Sequence, residues 1–138
     1  MSDGHIVLGR SRARIGEVDY AVDLHADKHR LVADEAAGHG GADAGPSPIA
    51  LLLSGLAACT AITLRMYAER KQWPLTGTDV ELSYLAPDRS TRWIERRIVL
   101  HGALDDDQRA KLAEIAEKTP VTKAVRAGTE IRTTVVPG

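Results

Sequence analysis

Cysteine is nearly absent from this chain: Cys59 is the only one in 138 residues. No disulfide closes within one copy, so stability has to come from packing, and a reducing compartment is the natural setting. Phenylalanine is missing altogether and aromatics make up 4%. The core is therefore left to Leu, Ile, Val and Ala, with Trp73 and Trp93 as the large pieces. An excess of one charge is also missing, since 18 Lys and Arg face 19 Asp and Glu for a net charge of -1. The arginines are spread along the chain, which removes the electrostatic case for nucleic acid or an anionic membrane surface. Met1 to Arg10 holds no signal-peptide core. The longest apolar stretch, Ile49 to Leu64, is broken by Ser54, Gly55, Thr60 and Thr63. It reads as too short and too polar for the roughly 20 apolar residues of a bilayer span. The expectation is one soluble, cytoplasmic domain over residues 1–138, with neither nucleic acid nor membrane as partner.

The apolar fraction of 43% is enough for a real core. Ile6 to Glu35 reads as short strands: Tyr20, Val22 and Leu24 alternate with polar neighbours, and Leu31-Val32-Ala33 follows a turn at Ala26-Asp27-Lys28. Gly38 to Gly45 is rich in glycine but lacks the Gly-Lys-Ser/Thr ending of a phosphate cradle, and a flexible connector is the better reading. Ser47 then offers an N-cap and Pro48 a first helical residue. Leu52, Leu56, Cys59 and Met66 recur at helical spacing, to about Lys71 and before Pro74. Two strands follow, around Val80, Leu82 and Tyr84 and around Ile94, Ile98 and Leu100, joined near Pro87 to Ser90. The arginines and Glu95 on the second strand suggest a solvated face. Asp105 and Gln108 form a capping box for a second helix, with Leu112, Ile115 and Ala116 as its apolar stripe. Thr119-Pro120 opens a short third helix through about Arg126, Gly128 ends it, and Ile131, Thr133 and Val135 suggest a closing strand. The order is that of an α+β fold with a mainly antiparallel sheet.

Candidate chemistry centres on Cys59. A free cysteine is most often an inert packing residue. The middle of a helix also gives no help from the helix dipole, so reactivity requires a cation or base from elsewhere. Arg65 lies roughly 240° around the helix from Cys59, which leaves Arg10, Arg12 and Arg14 on the N-terminal strand as suppliers. His25 and His29 flank a turn rather than sharing a helix face, so no metal site is expected. No Gly-x-Ser-x-Gly nucleophile elbow appears either. Asp34-Glu35 reads as a solvated pair; the sharper alternative is that Glu35 orients a substrate or an arginine at a Cys59 pocket.

Three stretches carry a resemblance: Val32-Ala33-Asp34-Glu35, Gly40-Gly41-Ala42-Asp43-Ala44-Gly45-Pro46-Ser47-Pro48, and Leu51-Leu52 through Ala58-Cys59-Thr60. With Thr63 to Lys71, Ile94-Glu95-Arg96-Arg97-Ile98 and Lys118-Thr119-Pro120-Val121, they closely resemble the OsmC/Ohr family, in its OsmC-like subgroup. That resemblance implies antiparallel sheets wrapped around central helices in an intertwined homodimer, with active sites at the subunit interface. It also implies a thiol-dependent peroxidase acting on organic hydroperoxides or hydrogen peroxide, with no cofactor and a thiol as reductant.

On the family pattern Cys59 matches the peroxidatic cysteine. The second, resolving cysteine is replaced by Thr119, and the glutamate near the helix start is replaced around Ile49 and Ala50. Arg10 follows Gly9 as the activating arginine does, over a short match. A sulfenic acid on Cys59 would then need an outside thiol to escape overoxidation. Two readings follow: a one-cysteine peroxidase using Cys59, Arg10 and Glu35, or a non-catalytic dimer holding a small apolar ligand in the same pocket, against Leu52 and Leu56.

Overall fold

The computed structural model describes residues 4–17 and 19–138; Met1 to Asp3, part of the N-terminal reading above, lie outside them. The elements are β1 (Ser11–Arg14), β2 (Val22–Ala26), β3 (His29–Ala33), a 3-10 turn (Ala37–His39), α1 (Pro48–Lys71), β4 (Gly77–Leu85), β5 (Trp93–His101), α2 (Asp106–Ala116) and α3 (Pro120–Ala127). The fold is α+β and both sheets are antiparallel, as expected. The backbone divides into two compact units, residues 1–52 and 53–138, with the boundary inside α1.

The N-terminal unit is a three-stranded meander, β1-β2-β3. Asp27 and Lys28 make its tight turn, with Asp27 at φ 51°, a conformation that Asp tolerates better than most residues. Tyr20, expected in the strand, lies before β2 and is exposed. The glycine-rich segment is not a loose connector. It wraps around the Asp34 carboxylate, which is 2% exposed and accepts hydrogen bonds from the backbone N–H groups of Glu35 (2.7 Å), Ala42 (3.2 Å) and Ala44 (3.1 Å). The glycines make that wrap sterically feasible. A Cβ on Gly41 would overlap the Glu35 carbonyl, and one on Gly45 the Val32 carbonyl. Asp34 is thus buried rather than solvated, because three orphan donors of a tight loop need one acceptor and a carboxylate supplies it. Ser47 caps α1 as expected, its Oγ accepting from the Ala50 N–H at 3.1 Å.

The C-terminal unit holds the main hydrophobic cluster. On α1, Leu56, Thr60, Leu64 and Ala68 repeat every four residues and form the buried line. Leu64 meets Leu104, Leu112 and Ala116, with Tyr67, Trp73 and Ile98 packed against them. Helix α1 ends by the left-handed route: Gln72 sits at φ 58°, and the N–H groups of Gln72 and Trp73 return to the carbonyls of Glu69 and Ala68. Strands β4 and β5 pair from Gly77 with His101 to Leu85 with Trp93. The capping box of α2 is formed in both directions, Gln108 N–H to Asp105 at 2.7 Å and Asp105 N–H to Gln108 at 3.0 Å. Asp105→Ala is expected to cost about 1 kcal/mol, read as a lower urea midpoint at unchanged slope.

Two further expectations give way here. Ile131 to Val135 forms no strand; Ile131 is 85% and Val135 90% exposed. Alternation shows that a segment is able to pair, but pairing needs a free strand edge, and none within the described residues takes this one. Second, α1 is 24 residues long and by length and composition alone reaches the size of a membrane span. The broken stretch Ile49 to Leu64 understated it, because the helix continues through Met66, Tyr67 and Ala68. Ile62 and Met66 remain exposed on α1 at 55% and 59%.

Candidate active site and adjoining pocket

Helix α1 places Cys59 one step off its buried line, so the thiol is half-buried. Its nearest polar neighbour is Thr63, with Sγ and Oγ1 4.0 Å apart, and no guanidinium hydrogen-bonds to it among the described residues. The next residue, Thr60, is fully buried. Its hydroxyl donates to the Leu56 carbonyl at 2.7 Å and accepts from Arg96 Nη1 at 3.1 Å.

Arg96 is the junction of this region. Ile94, Arg96 and Ile98 share one face of β5 because strand side chains alternate, and that face is the inner one. The expectation of a solvated arginine face therefore holds for Arg97, which faces Glu81 at 3.7 Å, and fails for Arg96, whose side chain is 12% exposed. A guanidinium among apolar residues needs acceptors, and three helices provide them. Nη1 donates to Thr60 on α1 and to Thr122 on α3 (2.9 Å), and Nη2 donates to the Ala116 carbonyl at the end of α2 (3.0 Å) and to Glu117 (3.4 Å). The last turn of α2 is the negative end of its dipole and suits a cation.

Thr119 stands at the N-cap of α3, fully buried. Its hydroxyl accepts from the Thr122 N–H at 3.0 Å and donates to Thr122 Oγ1 at 2.7 Å, while Thr122 Oγ1 donates on to Ala116. Thr119 and Thr122 thus form a hydroxyl relay closed by Arg96. Glu117 binds Arg126 as well as Arg96, and these cations hold its carboxyl below the usual range, the Arg126 hydrogen bond contributing most.

A pocket of about 710 Å³ opens beside this junction, within the C-terminal unit. Leu56, Tyr84, Trp93, Ile94, Ile98 and Val125 give it apolar walls, and Arg92, Arg96, Arg126 and Glu117 its charges. Leu56 is the one candidate pocket residue in the lining; Cys59 and Leu52 are not part of it. Leu52, at the end of the N-terminal unit, is exposed.

The other two candidates lie in the N-terminal unit. Arg10 precedes β1 rather than lying on it, and its backbone is tied to the turn, N–H to Asp27 Oδ1 at 3.1 Å and carbonyl to the Asp27 N–H at 2.8 Å. Its side chain is exposed. Glu35 is half-buried and its carbonyl accepts from the Asp43 N–H at 3.1 Å, which helps fix the loop. Among the described residues no cluster of three or more His, Cys, Asp or Glu is arranged to hold a metal. Arg96 is the residue the sequence reading passed over. The signal was its parity, since it shares the even register of Ile94, Ile98 and Leu100.

Solved structures share this architecture. An OsmC-like protein of Mycoplasma pneumoniae superposes with a TM-score of 0.73 at 17% identity, over 87% of this chain and 88% of that one. An organic hydroperoxide resistance protein from Elizabethkingia anophelis gives 0.69 at 16% identity, covering 91% and 92%. Another, the OsmC protein of Legionella pneumophila, gives 0.64 at 20%, covering 88% and 91%. No curated protein matches the chain in sequence. The family model for OsmC-like proteins matches residues 38–134. The chain belongs to the OsmC/Ohr family.

Proposed function

We propose that this protein is a thiol peroxidase of one-cysteine type, acting as a cytoplasmic homodimer on organic hydroperoxides or hydrogen peroxide. The Cys59 thiolate attacks the peroxide oxygen, the O–O bond breaks, and the alcohol or water leaves with a proton. The sulfenic acid left on Cys59 condenses with an external thiol, releasing water, and a second thiol restores Cys59 with formation of a disulfide. No internal partner performs that step, because Thr119 carries a hydroxyl and Cys59 is the only cysteine. The observation that carries this reading is a half-buried thiol on the central helix of an OsmC-like chain. We assign activation of the thiolate to Arg10, with Glu35 as the residue that would orient it. The dimer supplies cover for Ile62 and Met66 on α1 and for Ile131 and Val135 in the C-terminal segment, all exposed in one copy.

The test is to expose the reduced protein to limiting organic hydroperoxide with a sulfenic-acid trap and to follow intact mass. Trapping is expected to approach one label per chain, faster than for a free thiol, and to vanish in Cys59→Ser. Labelling no faster than a free thiol would sink the peroxidase. The remaining reading would then be a non-catalytic dimer holding a small ligand, which the pocket lined by Leu56 but not by Cys59 favours.

A further inference from the structure

The pocket beside Arg96 has a charge pattern that thiol chemistry does not use. Its lining sets three arginines against one carboxylate, Glu117, within a chain whose net charge is -1. These cations have spare capacity. Arg92 makes no ion pair among the described residues. All four terminal N–H groups of Arg96 are engaged, but its Nε–H has no acceptor there, and Arg126 is 63% exposed while sharing Glu117. Arg96 and Arg126 form one cationic neighbourhood, both reaching Glu117, while Arg92 lines the same pocket from the residue before β5. The apolar lining holds Tyr84 and its cross-strand partner Ile94, with Trp93 and Ile98. A volume of 710 Å³ is that of a small-molecule site.

We infer that this pocket binds a small amphiphile with a single carboxylate, its head held by arginines of the lining, the unpaired Arg92 among them, and its apolar body along Tyr84, Ile94 and Ile98. Guanidinium forks match a carboxylate in plane and spacing. The head is a monoanion because Glu117 already occupies part of the cationic neighbourhood, and its repulsion grows with ligand charge. The site is independent of Cys59 oxidation, since the thiol is outside the lining.

Calorimetric titration of the full chain with decanoate, decanol, decylamine and decyl phosphate, each below its micelle threshold, tests this. Decanoate is expected to bind one per chain, about tenfold or more tighter than decanol, with decylamine giving no heat and decyl phosphate weaker than decanoate. Arg92→Gln removes an exposed, unpaired cation and is expected to weaken decanoate about fivefold while leaving decanol unchanged. Lys123→Gln, an equal charge loss on α3 outside the lining, is expected to change neither. Decanol equal to decanoate, no decanoate binding, or equal losses in Arg92→Gln and Lys123→Gln would overturn the site. Tighter binding of decyl phosphate would overturn the carboxylate. None of these results bears on sulfenic-acid trapping at Cys59, so the two proposals fail separately.

Discussion

Arg96→Met is expected to lower the free energy of unfolding by about 2–4 kcal/mol, more than any single surface charge on the same hairpin. Methionine keeps much of the apolar stem and restores none of the donors. Thr60 and Thr122 then each lose a charge-assisted bond, and the Ala116 carbonyl keeps only the longer contact from Thr122, at 3.3 Å. The loss is shared among α1, β5, α2 and α3, because Arg96 is where all four meet. Arg97→Met is the matched control. Arg97 is 70% exposed and sits 3.7 Å from Glu81, so a change of about 0.5 kcal/mol or less is expected. Arg96→Lys falls nearer to methionine than to wild type, since one ammonium cannot span acceptors on three helices. Urea midpoints at constant slope measure all three. Equal small losses for Arg96→Met and Arg97→Met would show that Arg96 is an ordinary surface charge.

The elements whose signals are local were legible in the sequence. Asp105 with Gln108, Thr119 with Pro120, and Ser47 with Pro48 each fix a helix start through bonds spanning three residues, and all three starts form where expected. The β2–β3 and β4–β5 hairpins follow from alternation and from the polar segments that join the strands. What could not be read was whatever depends on a partner far along the chain. Arg96 looks like one of a row of surface arginines until Thr60 and Thr122, 36 and 26 residues away, are seen as its acceptors. The segment around Ile131 and Val135 has a strand pattern but no strand, because pattern specifies a face and not a neighbour. The candidate site was legible to the same degree. Cys59 could be picked out as the only thiol, and Thr119 as a cap. The pocket could not, because its walls come from a hairpin and three helices that only the fold brings together.

Asp34→Asn is expected to destabilise the chain at neutral pH by more than Asp105→Ala does, and the deficit is expected to shrink in acid. The carboxylate uses Oδ1 for the Glu35 N–H and Oδ2 for the Ala42 and Ala44 N–H groups. An asparagine has one acceptor oxygen. Whichever way its amide is turned, an NH2 faces at least one backbone N–H, and a buried donor is left without an acceptor. Those bonds, the one from Ala44 foremost, hold the Asp34 pKa below its ordinary value of 3.8. A depressed carboxylate contributes stability that is fully present above the unfolded-state pKa and is lost as pH falls through the folded-state one. The wild-type advantage over Asp34→Asn should therefore be constant from neutral pH down to about 4 and decline below that. Urea midpoints of both proteins across that window give the difference directly. Asp88, Glu114 and Glu117, also depressed, titrate in both proteins and cancel. A difference that stays flat below the ordinary carboxylate range would mean the loop is held by its glycine geometry alone, with Gly41 and Gly45 letting the backbone close on itself. A declining difference makes the Asp34 charge the element that draws the loop around it, with the glycines providing the room.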